Sequence, residues 1–239
     1  MFEGQWLSVP HVCGSIFADL RDIMQLQFKG TIPAVPDWPC LVGMVARLRR
    51  EYTTLVVHWN RPVPHVVKLN SDGCVRGIPG KSGGGGMLRC LEGRFILGYS
   101  CCFGETTSLH AELKALLFGV RLAISRGYVN LHIESDSLGL VQIIQGTVQC
   151  AWRLRRDLQD LLEDRRCFRE VSHCFREANK PADRLANIGV DSSSSSTYES
   201  FCDLPALVRG DLTLDRVGLP SFRRVRRSKL GFSGFAVHV

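Results

Sequence analysis

Four acidic residues stand where secondary structure can aim their side chains. Asp72 closes Lys68-Leu69-Asn70-Ser71-Asp72-Gly73, and Glu112 lies in His110-Ala111-Glu112-Leu113. Asp136 lies in Glu134-Ser135-Asp136-Ser137, and Asp183 in Asn179-Lys180-Pro181-Ala182-Asp183-Arg184-Leu185-Ala186. Two of the acids close strand-like runs, one sits inside a helical pattern and one opens a helix. Carboxylates so distributed can converge on one site and hold a pair of divalent metal ions. Each acid alone also has a plainer reading. Asp72 before glycine suits a turn, Glu112 suits an early helical turn, and Asp136 and Asp183 suit helix N-termini.

The elements that would position these acids are legible from residue 65 onward. Val67, Leu69 and Ser71 alternate with Lys68, Asn70 and Asp72, a strand pattern that ends at Asp72-Gly73. A loop is expected next, with Gly77, Gly80 and the four glycines Gly83 to Gly86. Residues 86–91 and 94–103 read as two further strands about a Glu92-Gly93 turn, which completes an antiparallel meander. Leu109, Leu113, Leu116, Leu117, Val120 and Ile124 recur at helical spacing, with Thr107 or Ser108 as N-cap and Gly127 as the stop. Residues 129–134 read as a fourth strand, 137–145 and 152–164 as helices, and 168–175 as a fifth strand. A last helix begins at Pro181, where proline suits the first turn. The order β-β-β-α-β-α-α-β-α predicts an α/β fold with one five-stranded mixed sheet, three strands antiparallel and two parallel, flanked by helices.

Outside that region the pattern fades. Pro33, Pro36, Pro39, Pro62 and Pro64 break residues 1–64 into short pieces with one helix at Cys40 to Tyr52. Residues 1–59 therefore read as an irregular connector or remnant, 60–190 as the main domain, and 191–239 as a serine-rich linker and poorly ordered basic tail. The net charge is +7 over 239 residues, with 45% hydrophobic residues and no sign of wholesale disorder. Residues 65–190 and 203–239 each carry +4. That balance fits a polyanionic partner such as nucleic acid, and equally a basic soluble protein. The ten cysteines include no Cys-x-x-Cys pair and read as reduced thiols of an intracellular protein. No apolar run nears the ~20 residues of a membrane span, and no secretory pattern opens the chain.

Over residues 59–190 the chain resembles a type 1 ribonuclease H domain, of the subgroup found in plant proteins and retroelement reverse transcriptases. The resemblance rests on Trp59 with its neighbouring prolines, the glycine-rich hairpin, Ala111-Glu112-Leu113 and Glu134-Ser135-Asp136-Ser137. Arg176-Glu177-x-Asn179-x-x-Ala182-Asp183 completes it. It implies that Asp72, Glu112, Asp136 and Asp183 are catalytic and bind two Mg²⁺ ions, with Mn²⁺ able to substitute. Asp72 would lie between the ions. Glu112 and Asp136 would serve the ion near the leaving group, and Asp183 the ion that activates water. The implied reaction is endonucleolytic hydrolysis of RNA in RNA–DNA hybrids by a monomer, leaving 5′-phosphate and 3′-hydroxyl ends. Asn70, Ser71, Gly73, Cys74, Arg176 and Asn179 are the implied substrate contacts, together with the backbone of the glycine loop, which would approach RNA closely.

The chain departs from the family pattern in places. His173 stands ten residues before Asp183, but it continues the alternation of Val171 and Phe175, so it reads as a strand-end residue and not as a mobile loop histidine. No inserted basic helix is present; Arg153, Arg155 and Arg156 are either a partial substitute or a solvated helix face. Cys90 stands where relatives commonly carry an acid. These departures keep other readings open: a nucleic-acid-binding module with little turnover, a retroelement-derived fragment, or an exonuclease using the same site. Arg223 to Lys229 reads as a nuclear address, a nucleic-acid patch or a solvated end.

Overall fold

Leu88 and Met87 are neighbours on one strand, yet they belong to different apolar clusters, which is what a sheet covered on both faces requires. The computed structural model describes residues 8–27, 37–48, 52–77, 80–192 and 194–226. It divides into two units, one of residues 1–53 with 225–239 and one of Thr54–Arg224. The first contains helices α1 (Val9–Gln27) and α2 (Trp38–Leu48). Asp37 caps α2 by accepting a hydrogen bond from the Cys40 amide at 2.8 Å. The helix expected at Cys40 to Tyr52 thus begins earlier, and residues 49–51 lie outside the described ones. The 19-residue α1 was not anticipated. Strand β1 (Tyr52–Val57) pairs with the last strand of the chain in a separate two-stranded sheet.

The main sheet is built from β2 (Val67–Gly77), β3 (Gly80–Arg89), β4 (Phe95–Thr106), β5 (Leu131–Ser135), β6 (Phe168–His173) and β7 (Ser196–Tyr198), in the order β6-β5-β2-β3-β4-β7. The run β2-β3-β4-β7 is antiparallel, while β5 is parallel to β2 and to β6. Helix α3 (Ser108–Ser125) packs Leu113, Leu116 and Val120 against Leu69, Leu88, Tyr99 and Ile133 on one face. Helices α4 (Leu138–Ile144) and α5 (Arg155–Glu163) extend that core with Leu140, Val141, Leu158 and Leu161. On the other face α6 (Lys180–Asp191) and α7 (Ala206–Arg216) bury Leu185, Val208 and Leu212 with Met87 and Leu204. Strand β8 (Ser221–Arg226) ends the described chain.

The fold class is as expected, but three particulars differ. First, Gly83 to Gly86 lie in a strand and not in a loop. The strand pattern does not stop at Asp72-Gly73; β2 runs on to Gly77 and pairs along its length with β3, which contains Gly83 to Gly86. Those glycines are not free to approach RNA, because the helices already occupy the space. A Cβ at Gly83 would fall on the backbone of Gly189 and Val190, and one at Gly85 on that of Leu185 and Ala186, both in α6. On the opposite face, a Cβ at Gly84 would meet Ala115 of α3 and one at Gly86 the Tyr99 hydroxyl. Both helices thus lie directly on bare strand.

Second, the sheet has six strands and not five. The serine run was expected to be linker, but Ser196 to Tyr198 add an edge strand to Gly98–Ser100 of β4. A three-residue polar segment carries no alternation to read, and only tertiary pairing recruits it. Third, structure continues past residue 203. Leu204, Val208 and Leu212 recur every four residues, and that signal of α7 was present in the sequence. At the tail, Arg223 pairs with Glu177 at 2.9 Å and lies over the Phe175 ring, while Arg227 to Lys229 fall outside the described residues.

Gly85→Ala is expected to lower folding stability by ~3 kcal/mol or to prevent folding, because helix backbone cannot yield to a methyl group. Gly139→Ala, which meets open space in α4, is expected to leave stability unchanged or raise it by about 0.5 kcal/mol. Urea denaturation of the two variants checks both.

Candidate active site

Parallel pairing of β2 with β5 sets Ser71 opposite Ser135, so the next residues along, Asp72 and Asp136, emerge side by side. Helix α3 then crosses over Gly73, where a Cβ would fall on the Glu112 backbone nitrogen. That contact admits no other residue without a shift, and it delivers Glu112 to the same place. The Gly73 amide donates to Glu112 Oε2 at 3.0 Å and orients the carboxylate. One oxygen from each of Asp72, Glu112 and Asp136 can be chosen so that all lie within 4.8 Å of one another.

Asp72 is 5% exposed and Glu112 9%. Both carboxyls are pushed far above the usual carboxylate range. Burial is the main cause for each; Glu112 and Asp136 add to it at Asp72, and Asp136 adds to it at Glu112. Lys68 pairs with Glu134 at 2.8 Å; Arg176 pairs with Asp183 and also opposes the rise at Glu112. The three carboxyl groups therefore form a site of hard oxygen donors, the ligand type a divalent cation such as Mg²⁺ prefers.

The fourth acid stands apart. Asp183 lies in the first turn of α6 and faces Arg176; it adds to the field at Asp72 but is not in the three-carboxylate cluster. Arg176, expected to contact substrate, is exposed and paired with that acid. The other expected substrate contacts divide. Cys74 is half-buried, with its thiol 3.4 Å from Asn187 Oδ1. Gly73 is used by Glu112. Asn70, Ser71 and Asn179 are fully buried and hydrogen-bonded within the protein. Ser71 lies under the Tyr99 hydroxyl at 3.2 Å. Asn179 donates to Asp136 Oδ1 at 3.3 Å and to the Ser71 carbonyl at 3.0 Å, so it holds one of the carboxylates in place.

Sequence reasoning missed the charged groups beneath the site. Lys68, Glu134 and Arg89 are all buried. Their signal was available in β2, where Lys68, Asn70 and Asp72 share one strand face. That face reads as solvent-exposed in an isolated strand, but β2 is central and both its faces are covered. His173 is the last residue of β6, exposed, with its ring 5.9 Å from that of Phe175. Arg153 precedes α5 and Arg155 and Arg156 open it; all three are exposed, Arg153 lying over the Trp152 ring.

A mixed sheet with helices on both faces, and a carboxylate cluster where its central parallel strands end, define a ribonuclease-H-type domain. Solved structures with the same fold include ribonuclease H1 from the halophilic archaeon Halobacterium salinarum, 27% identical with a TM-score of 0.50 over 53% of this chain and 98% of that one. The N-terminal RNase H domain of a Mycobacterium tuberculosis protein is 25% identical with a TM-score of 0.50, over 53% of this chain and 94% of that one. The chain belongs to the reverse transcriptase-like family, whose model matches residues 70–189. It is 28% identical over 244 residues to an Arabidopsis thaliana protein provisionally named as a ribonuclease H protein. That match covers 92% of this chain and 36% of the relative, so the chain spans about a third of the relative's length.

Carboxyls whose folded pKa lies above the unfolded one bind extra protons in the folded state. Their stabilising contribution is complete below the unfolded value and is lost as pH rises through the folded one. Without divalent metal, stability should therefore decline from the ordinary carboxylate range through neutrality. Asp72→Asn should raise the stability of the chain in EDTA at pH 7.5 by about 1–2 kcal/mol and flatten that decline. Thermal melts of both proteins across pH 5–9 are the check.

Proposed function

We propose that this chain is a divalent-metal-dependent nuclease that hydrolyses the RNA strand of RNA–DNA hybrids internally, leaving 5′-phosphate and 3′-hydroxyl ends. The observation that carries the reading is the convergence of Asp72, Glu112 and Asp136 on one point. The family and the solved relatives supply the substrate class. Asp72, Glu112 and Asp136 are the residues that would hold Mg²⁺ or Mn²⁺, and Asp183 is assigned to a second ion. Ions bound there would stabilise charge on the phosphate and make water a stronger nucleophile.

The protein's own groups have separate tasks. Gly73 orients Glu112 through its amide, and Asn179 orients Asp136. Burial of Asp72 and Glu112 limits the water around them and strengthens the field of the carboxylates. Arg176 stands at the exposed rim beside Asp183 and can meet a backbone phosphate bidentately. Since Asn70, Ser71 and Asn179 are buried, contact with the sugar 2′-hydroxyls falls to rim groups such as Cys74.

One observation favours a second reading, a hybrid-binding module with little turnover. Asp183, the fourth acid, is tied to Arg176 and stands outside the cluster.

The test is cleavage of an end-labelled RNA–DNA hybrid by the full chain with Mg²⁺ or with EDTA. Cleavage should require Mg²⁺, and Asp72→Asn or Asp136→Asn should reduce it by about 100-fold or more, the equivalent of several kcal/mol of lost charge stabilisation. Full activity in either variant refutes the site. Hybrid binding without cleavage moves the assignment to the second reading.

A further inference from the structure

Arg89 carries a full positive charge on β3 with no exposure to water. Burying a guanidinium costs several kcal/mol unless an anion meets it. Here the anion comes from α7, beyond the residues that match the family model. Arg89 donates one terminal nitrogen to Asp215 Oδ2 at 2.7 Å and the other to Asn70 Oδ1 at 2.7 Å. The Trp59 indole donates to the same Asn70 oxygen at 3.0 Å, and its ring lies 3.6 Å from the guanidinium carbon.

Two donors on its oxygen leave the Asn70 amide nitrogen facing the other way. It donates to Glu134 Oε2 at 2.8 Å and to Asn179 Oδ1 at 3.3 Å. Asn179 in turn donates to Asp136. The donor and acceptor roles are ordered along the whole series. A flipped Asn70 would set its NH₂ against two donors and its oxygen against two acceptors. Arg89 thus dictates the orientation of Asn70, and Asn70 that of Asn179.

The same residues are a poor device for stability. Among the described residues, Arg89 Nε is buried with no hydrogen-bond partner. Replacing a buried ion pair with apolar residues of similar volume is often neutral or stabilising. An apolar pair, however, cannot orient an amide.

We propose that Asp215 and Arg89 are positioning residues of the active site: α7 fixes the Asp136 carboxylate through Arg89, Asn70 and Asn179. The C-terminal extension is therefore part of the frame of the metal site. This rests on the metal-binding reading of Asp72, Glu112 and Asp136 given above.

The experiment is a calorimetric titration of the full chain with Mg²⁺ at low salt, beside thermal melts in EDTA. In Arg89→Met/Asp215→Leu the melting temperature should stay level or rise, while the Kd for Mg²⁺ rises about 10-fold or more and hybrid cleavage falls in parallel. Asp215→Asn, which alters one atom of the pair, should weaken Mg²⁺ in the same way and serves if the double variant does not fold. A folded variant of either kind that binds Mg²⁺ as tightly as the wild type overturns the proposal. A wild-type chain with no Mg²⁺ binding that Asp72→Asn abolishes overturns the metal-binding reading itself, and the proposal with it.

Discussion

Three carboxylates whose oxygens can lie within 4.8 Å of one another repel, and two of them are almost shut off from water. Left to themselves they would separate or take up protons. Everything near them opposes separation. Asp72 is fixed by its pairing with Gly85 of β3, just past the β5 pairing that ends at Ser71, Glu112 by the Gly73 amide and Asp136 by Asn179. The strain is electrostatic and local, and the sheet and its helices confine it. Under the proposed function, a site held in this way needs little reorganisation when a cation arrives.

Confinement depends on how near the helices come. Ordinary side chains would hold a helix well clear of a sheet. Glycines at 83, 84, 85 and 86 remove that spacing on both faces, and Gly189 removes it from the α6 side, where a Cβ would fall on the Cys101 carbonyl. Close contact brings Glu112 and Asp183 toward β2 from opposite helices. It also leaves β3 without side chains at residues 83–86, where α3 and Tyr99 cover one face and α6 the other.

Beneath the carboxylates lies a second charged layer, Lys68 with Glu134 and Arg89 with Asp215, joined by Asn70. Buried ion pairs contribute little net stability. Their value here is direction, since each member has one acceptable orientation. The acids above receive fixed neighbours instead of mobile water, and α7, remote in sequence, becomes coupled to β2.

The sequence by itself determined the order of elements from β2 to α6, the mixed sheet, and four acids, Asp72, Glu112, Asp136 and Asp183, as a candidate cluster, of which the structure brings the first three together. Those features are local: strand alternation, helical spacing, caps and short ordered motifs survive in one dimension. The tertiary structure decided what no local pattern carries. It made the glycine run a strand under two helices and turned Ser196 to Tyr198 into an edge strand. It also placed Lys68 and Asn70 in the interior, although polar residues alternating along a strand ordinarily mark a solvent face. Alternation reports which residues share a face, and only packing settles whether that face meets water or a helix. The same reason separates Asp183 from its three partners. Its position at the start of α6 was readable, but its pairing with Arg176 depends on how the chain enters that helix.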